Sequence, residues 1–146
     1  MSNLTNDDIT TLLATAGITG YTGEHTALGG SSLGGLITLH LGLEYPDVFG
    51  QLLVVSPSVW WDQHWIVDRV NNLEKATGQR IWLDIGTGEG KASIENTRML
   101  RVALEDKGWN EKNLHYLEAA GAGHNESAWA KRVPEMLRFL YLKSSD

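Results

Sequence analysis

The feature that most constrains this chain is an alternation of two patterns. Short apolar runs at 26–30 (TALGG), 51–55 (QLLVV), 80–85 (RIWLDI) and 113–117 (NLHYL) read as buried strands. Around them, 9–16, 33–44, 65–77, 93–107 and 126–142 read as helices. In the first of these Ile9, Leu12, Leu13 and Ala16 share one face; Asn6 or Thr5 can cap it, and Gly17 ends it. Pro46 stops the second helix, Gly78 and Gly108 end the third and fourth, and Pro134 either kinks the fifth or marks its true start. Strands that alternate with helices predict a parallel sheet covered by helices on its faces. In such sheets chemistry gathers beyond the carboxyl ends of the strands.

Composition narrows the classes. A chain of 146 residues suits one domain, 1–146, with a single core. It is 42% hydrophobic against 21% charged, with six Trp and four Tyr to pack, which argues against disorder. No apolar run approaches the roughly 18 residues of a membrane span, and the first ten residues carry no secretory pattern. A net charge of −6 disfavours a phosphate backbone, so neither nucleic acid nor membrane is expected as a partner. The absence of cysteine removes disulfides, thiolate chemistry and cysteine-ligated zinc, and suits a cytoplasmic location. Histidines and carboxylates lack metal spacing, so no metal and no cofactor is expected. The segment from Gly86 to Ser93 misses the phosphate-loop pattern twice, at Ile85 and Ala92.

Gly30-Ser31-Ser32-Leu33-Gly34 fits G-x-S-x-G between a strand and a helix. A serine on so sharp a turn projects its hydroxyl outward, and Gly30 and Gly34 avoid collisions across the turn. The helix that follows aims its amides and positive end at the same point, with the Leu33 N–H as an oxyanion donor. Alone the pattern is weak, because a glycine-rich turn also serves close packing. The longer run Leu28–Leu36 (LGGSSLGGL), with Glu44–Gly50 (EYPDVFG) and Ser56–Asp62 (SPSVWWD), resembles the putative esterase family, the esterase D and enterochelin-esterase-like branch of the α/β-hydrolases. The resemblance runs from about residue 9 to residue 142.

A serine hydroxyl needs a base, and the base an orienting carboxylate. In α/β-hydrolases they follow in the order Ser, acid, His, so His64, His115 and His124 are eligible and His25 and His40 are not. His115 falls mid-strand and His64 in a Trp-rich segment, where structural or pocket-lining roles fit. His124 follows a glycine-rich turn, and His124, Glu126 and Trp129 match the family's Gly-x-x-His-x-Glu-x-x-Trp stretch. For the acid, Gly86-Thr-Gly-Glu89 resembles the family's turn after the strand and points to Glu89, with Asp84 as the alternative. Trp60, Trp61 and Trp65 serve either as packing or as an aromatic substrate wall; the resemblance places this segment at the border of the substrate site.

Against a whole α/β-hydrolase, the strands that precede the nucleophile strand have no counterpart. The expected fold is a truncated α/β-hydrolase with about four mostly parallel strands. One edge of strand 26–30 is then bare, which predicts a homodimer or higher homo-oligomer. The second oxyanion donor is also missing, a loss typically worth about 100- to 1000-fold in rate. The residues thus predict a serine esterase for small aryl or short-chain esters, acting through an acyl-enzyme on Ser32 with Glu89, His124 and the Leu33 amide. The alternatives are a non-catalytic half-domain that serves assembly, or an acyltransferase or thioesterase with the same residues.

Overall fold

The β-branched and leucine-rich runs pair into one sheet whose middle strands are shut away from water. In the computed structural model, which describes Thr11, Thr15 and residues 23–142, the strands are β1 (Ala27–Ser31), β2 (Gln51–Val55), β3 (Arg80–Gly86) and β4 (Leu114–Ala119). They lie in the order β1-β2-β3-β4 and every pairing is parallel. The registers Ser31↔Val55, Val55↔Asp84 and Gly86↔Ala119 bring the carboxyl ends of all four strands to one rim. This is the predicted α/β fold. The predicted helix at 9–16 lies outside the described residues, apart from Thr11 and Thr15.

The helices among the described residues are α1 (Leu33–Glu44), α2 (Trp65–Asn71), α3 (Lys91–Asp106), α4 (Glu126–Ala130) and α5 (Val133–Tyr141). One core holds Leu39 of α1, Val70 of α2 and Leu100 and Leu104 of α3 against Leu52, Val54, Ile81 and Leu83 of the sheet, all fully buried or nearly so. The opposite face is smaller, with Val55 and Trp82 packed beneath Met136 of α5. No helix among the described residues is long and apolar enough to cross a membrane.

Two predicted helices differ most from the observed ones. The helix expected at 65–77 stops at Asn71, closed by the Asn72 N–H on the Asp68 carbonyl and the Leu73 N–H on Val70. Beyond it the Ala76 N–H is drawn off to the Lys107 carbonyl at 2.7 Å, which holds the chain in a loop. The helix expected at 126–142 is two helices, because Pro134 sits in the first turn of α5, where its missing N–H costs nothing.

Candidate active site

Ser32 sits between the last residue of β1 and the first of α1, with φ 59 and ψ −123. A left-handed φ is costly for a residue with a Cβ, so the turn is held from outside. Its N–H donates to the Val55 carbonyl at 3.0 Å and its own carbonyl accepts from the Ser58 N–H at 3.1 Å. Gly30 is required: a Cβ there would lie 2.6 Å from the Gly34 backbone. The expectation for Gly34 is corrected, since a Cβ on it would meet nothing within 4 Å, whereas one on Gly35 would lie 2.9 Å from the Val55 carbonyl. The first turn of α1 receives no side-chain cap, so the amide end that includes Leu33 faces the rim beside Ser32.

The turns after β3 and β4 interlock. The Gly88 N–H donates to the Ala122 carbonyl at 2.9 Å, and the Gly121 N–H donates to Thr87 Oγ1 at 2.7 Å. A Cβ at Gly86 would lie 2.2 Å from that same Ala122 oxygen, so glycine lets the two turns touch. Their contact brings Glu89 to His124, with Oε2 2.6 Å from Nδ1, and His124 Nε2 stands 2.9 Å from Ser32 Oγ. Glu89 is nearly enclosed at 2% side-chain exposure, while His124 is open at 45%. A carboxylate on Nδ1 sets that nitrogen as the donor and leaves the Nε2 lone pair to accept the Ser32 proton. Asp84, the alternative acid, is elsewhere engaged, forming a two-pronged pair with Arg132.

Comparison with known proteins gives the family. The family model described as "Putative esterase" matches residues 7–140. The chain belongs to this family. An uncharacterized Bacillus subtilis (strain 168) protein, YbbA, is 30% identical over 122 residues, spanning 79% of this chain and 48% of that one. The Iron(III) enterobactin esterase of Dickeya dadantii (strain 3937) is 29% identical over 133 residues, 80% of this chain and 29% of its own length. Among solved structures, the enterobactin esterase of Shigella flexneri superposes with a TM-score of 0.78 at 24% identity, over 92% of this chain and 36% of the other. The chain thus spans less than half the length of the curated relatives it matches.

In this member of the esterase family the tryptophans divide between two hollows. Trp60, exposed at 60%, lines a cleft of about 130 Å³ with Ser32, Ser58, Asn96, Glu89 and His124. Trp61 and Trp65 line a separate, more apolar groove of about 660 Å³ with Leu33, Ile37 and His40. The left-handed run Asp62–Gln63–His64 turns the chain back between them, and Trp61 meets Trp65 edge-on at 6.2 Å. Leu33 borders the second groove while its neighbour Ser32 lines the first, so the two hollows adjoin at the start of α1.

The other histidines are placed apart from Ser32. His64 Nε2 bonds Asn96 Oδ1 at 3.0 Å at the cleft wall, and His40 meets Trp65 edge-on at 5.0 Å. His115 stacks on Trp82 at 4.3 Å, and burial pushes its imidazole below the usual range. Sequence reasoning gave no site role to three residues beneath the site: Ser56 Oγ donates to Glu89 Oε1 and accepts from Trp129 and Arg132. Ser56 and Trp129 lie in motifs quoted for the resemblance, whereas nothing in the sequence marks Arg132.

Proposed function

We propose that the protein is a serine esterase for small aryl or short-chain esters. The observation that carries this reading is the continuous hydrogen-bond chain Ser32–His124–Glu89 at the carboxyl rim. His124 takes the Ser32 proton as the oxygen attacks the ester carbonyl, and Glu89 stabilises the imidazolium that forms. The Leu33 N–H and the amide end of α1 receive the negative charge that develops on the carbonyl oxygen. His124 then returns the proton to the leaving alcohol, and water releases the acyl group by the same steps in reverse. The cleft of about 130 Å³ beside Ser32 suits a small acyl group, and the exposed face of Trp60 suits a flat aryl one. The esterase names carried by relatives support the reading.

The test is hydrolysis of p-nitrophenyl acetate together with labelling by a fluorophosphonate. Ser32→Ala is expected to abolish labelling and to lower kcat by roughly 10⁴-fold or more. Equal turnover and labelling in wild type and Ser32→Ala would refute the esterase reading.

A second part of the proposal is self-association. Among the described residues β1 pairs on one side only, and Leu33 and Ile37 on the adjoining helix are 54% and 49% exposed. Unpaired edges beside apolar surface favour association. Light scattering is expected to give at least twice the 16.1 kDa of one chain. A monomer throughout the working concentration range would overturn it.

A further inference from the structure

Ser56 follows β2 with φ 42, a left-handed conformation that glycine would adopt more easily. It is 1% exposed, and its hydroxyl has three partners. Oγ lies 2.6 Å from Glu89 Oε1, 3.1 Å from Trp129 Nε1 and 3.1 Å from Arg132 Nη2. A hydroxyl carries one proton and two lone pairs, and indole and guanidinium nitrogens only donate. Trp129 and Arg132 therefore take both lone pairs, and the single proton of Ser56 points to Glu89.

The donors are themselves fixed. Arg132 holds Asp84 through Nε on Oδ2 at 2.9 Å and Nη2 on Oδ1 at 3.0 Å. Asp84 also accepts from Trp82 Nε1 at 2.7 Å and from the Ser56 N–H at 3.1 Å, so four donors surround a carboxylate with no exposure. On the other side of Ser56, Glu89 Oε1 takes a second bond from the Gly86 N–H at 2.8 Å. With Oε1 bonded twice, Oε2 is the oxygen presented to His124.

We propose that Ser56 is a positioning residue for the Ser32–His124–Glu89 chain, a hydroxyl whose proton direction is set by Trp129 and Arg132 and which fixes the Glu89 oxygen that faces His124. This rests on the esterase reading of that site. A strained backbone that carries a serine where glycine would relax it fits a position kept for its hydroxyl.

The experiment is a pair of substitutions measured in two backgrounds. Ser56→Ala removes the hydroxyl, and Ser56→Gly removes it while suiting the backbone, so the second variant keeps the test open if the first does not fold. In the wild-type background kcat for p-nitrophenyl acetate is expected to fall about 10- to 100-fold, with KM within about 3-fold. In a Glu89→Gln background the same substitutions are expected to change kcat by less than about 2-fold, because the effect passes through Glu89. An equal fold loss in both backgrounds, or no loss in the first, overturns the proposal. A readout without turnover separates this from failure of the esterase reading: the Nδ1 proton resonance of His124. It is expected downfield in the wild type and shifted upfield or broadened in Ser56→Gly; an unchanged resonance overturns the proposal even if no ester is hydrolysed.

Discussion

Two arginine–carboxylate forks in this molecule have nearly the same geometry and opposite surroundings. Arg132 meets Asp84 at 2.9 and 3.0 Å, and Arg98 meets Glu118 at 2.6 and 2.8 Å. The first pair has side-chain exposures of 6% and 0%, the second 54% and 26%. The shorter bonds are thus in the pair that water can replace. The exposed fork lies along the outer side of the sheet, where Tyr116 adds its hydroxyl to Glu118 at 2.8 Å and Arg101 covers the Tyr116 ring at 4.9 Å. The buried fork lies under the candidate site, tied to it through Ser56. Burying two ions is tolerable only when their remaining hydrogen-bond capacity is met, as it is for Asp84. Distance alone therefore ranks the two forks in the wrong order. What separates them is the cost of leaving one partner behind.

The largest effect is expected from breaking the buried fork on one side. Arg132→Met leaves the Asp84 carboxylate enclosed and unpaired, a loss typically of about 3–5 kcal/mol. Urea denaturation checks this, and Arg98→Met is the control expected to leave the midpoint indistinguishable from wild type. Adding Asp84→Leu to Arg132→Met is expected to be non-additive by about 1–3 kcal/mol, since the stranded charge is gone. It will not restore full stability, because Trp82 Nε1 then loses its acceptor, while the Ser56 N–H keeps the Asp84 backbone carbonyl at 3.0 Å. Equal losses from Arg132→Met and Arg98→Met would show that burial is not what distinguishes the forks.

The same contrast explains what the sequence could reveal. The strand–helix alternation is legible because burial leaves a periodic trace in one chain segment, and the central strands β2 and β3 read cleanly for that reason. Ser32 was legible because its G-x-S-x-G turn follows a strand, whereas Glu89 and His124 were legible through turns that resemble the family's. Arg132 was not legible. Its partner Asp84 is 48 positions away, and an arginine just before a proline-started helix has no local sign of burial. Ser56 stood in a quoted motif, but the proton direction of its hydroxyl depends on three tertiary partners. Gly34 was misread for a similar reason: the close approach at this turn involves Gly35 and the Val55 carbonyl on the neighbouring strand. The loop that replaces the last turns expected of α2 likewise depends on the Ala76 N–H donating to the Lys107 carbonyl, far along the chain.

The smallest effect sharpens the exposed side of the comparison. The hydrogen bond from Arg98, with a second from Tyr116, holds the Glu118 carboxyl down at about 2. Burial pushes the Tyr116 phenol up, and its hydrogen bond to Glu118 pushes the same way, so Tyr116 stays a donor throughout the acid range. A carboxyl whose value is depressed on folding contributes stability above its unfolded value, near about 4.3, and loses it as pH falls from there through the folded value. The contribution is small because water and salt screen both partners. A carbon-detected titration of the Glu118 carboxyl is expected to place its midpoint near 2 in the wild type. Arg98→Gln is expected to move that midpoint up toward the ordinary carboxylate range, with little change in the thermal midpoint at neutral pH. A Glu118 carboxyl that titrates at its ordinary value with Arg98 in place would mean that this fork is open in solution. Its short bonds would then hold no charge in place, and among these two pairs the buried one alone would carry electrostatic weight.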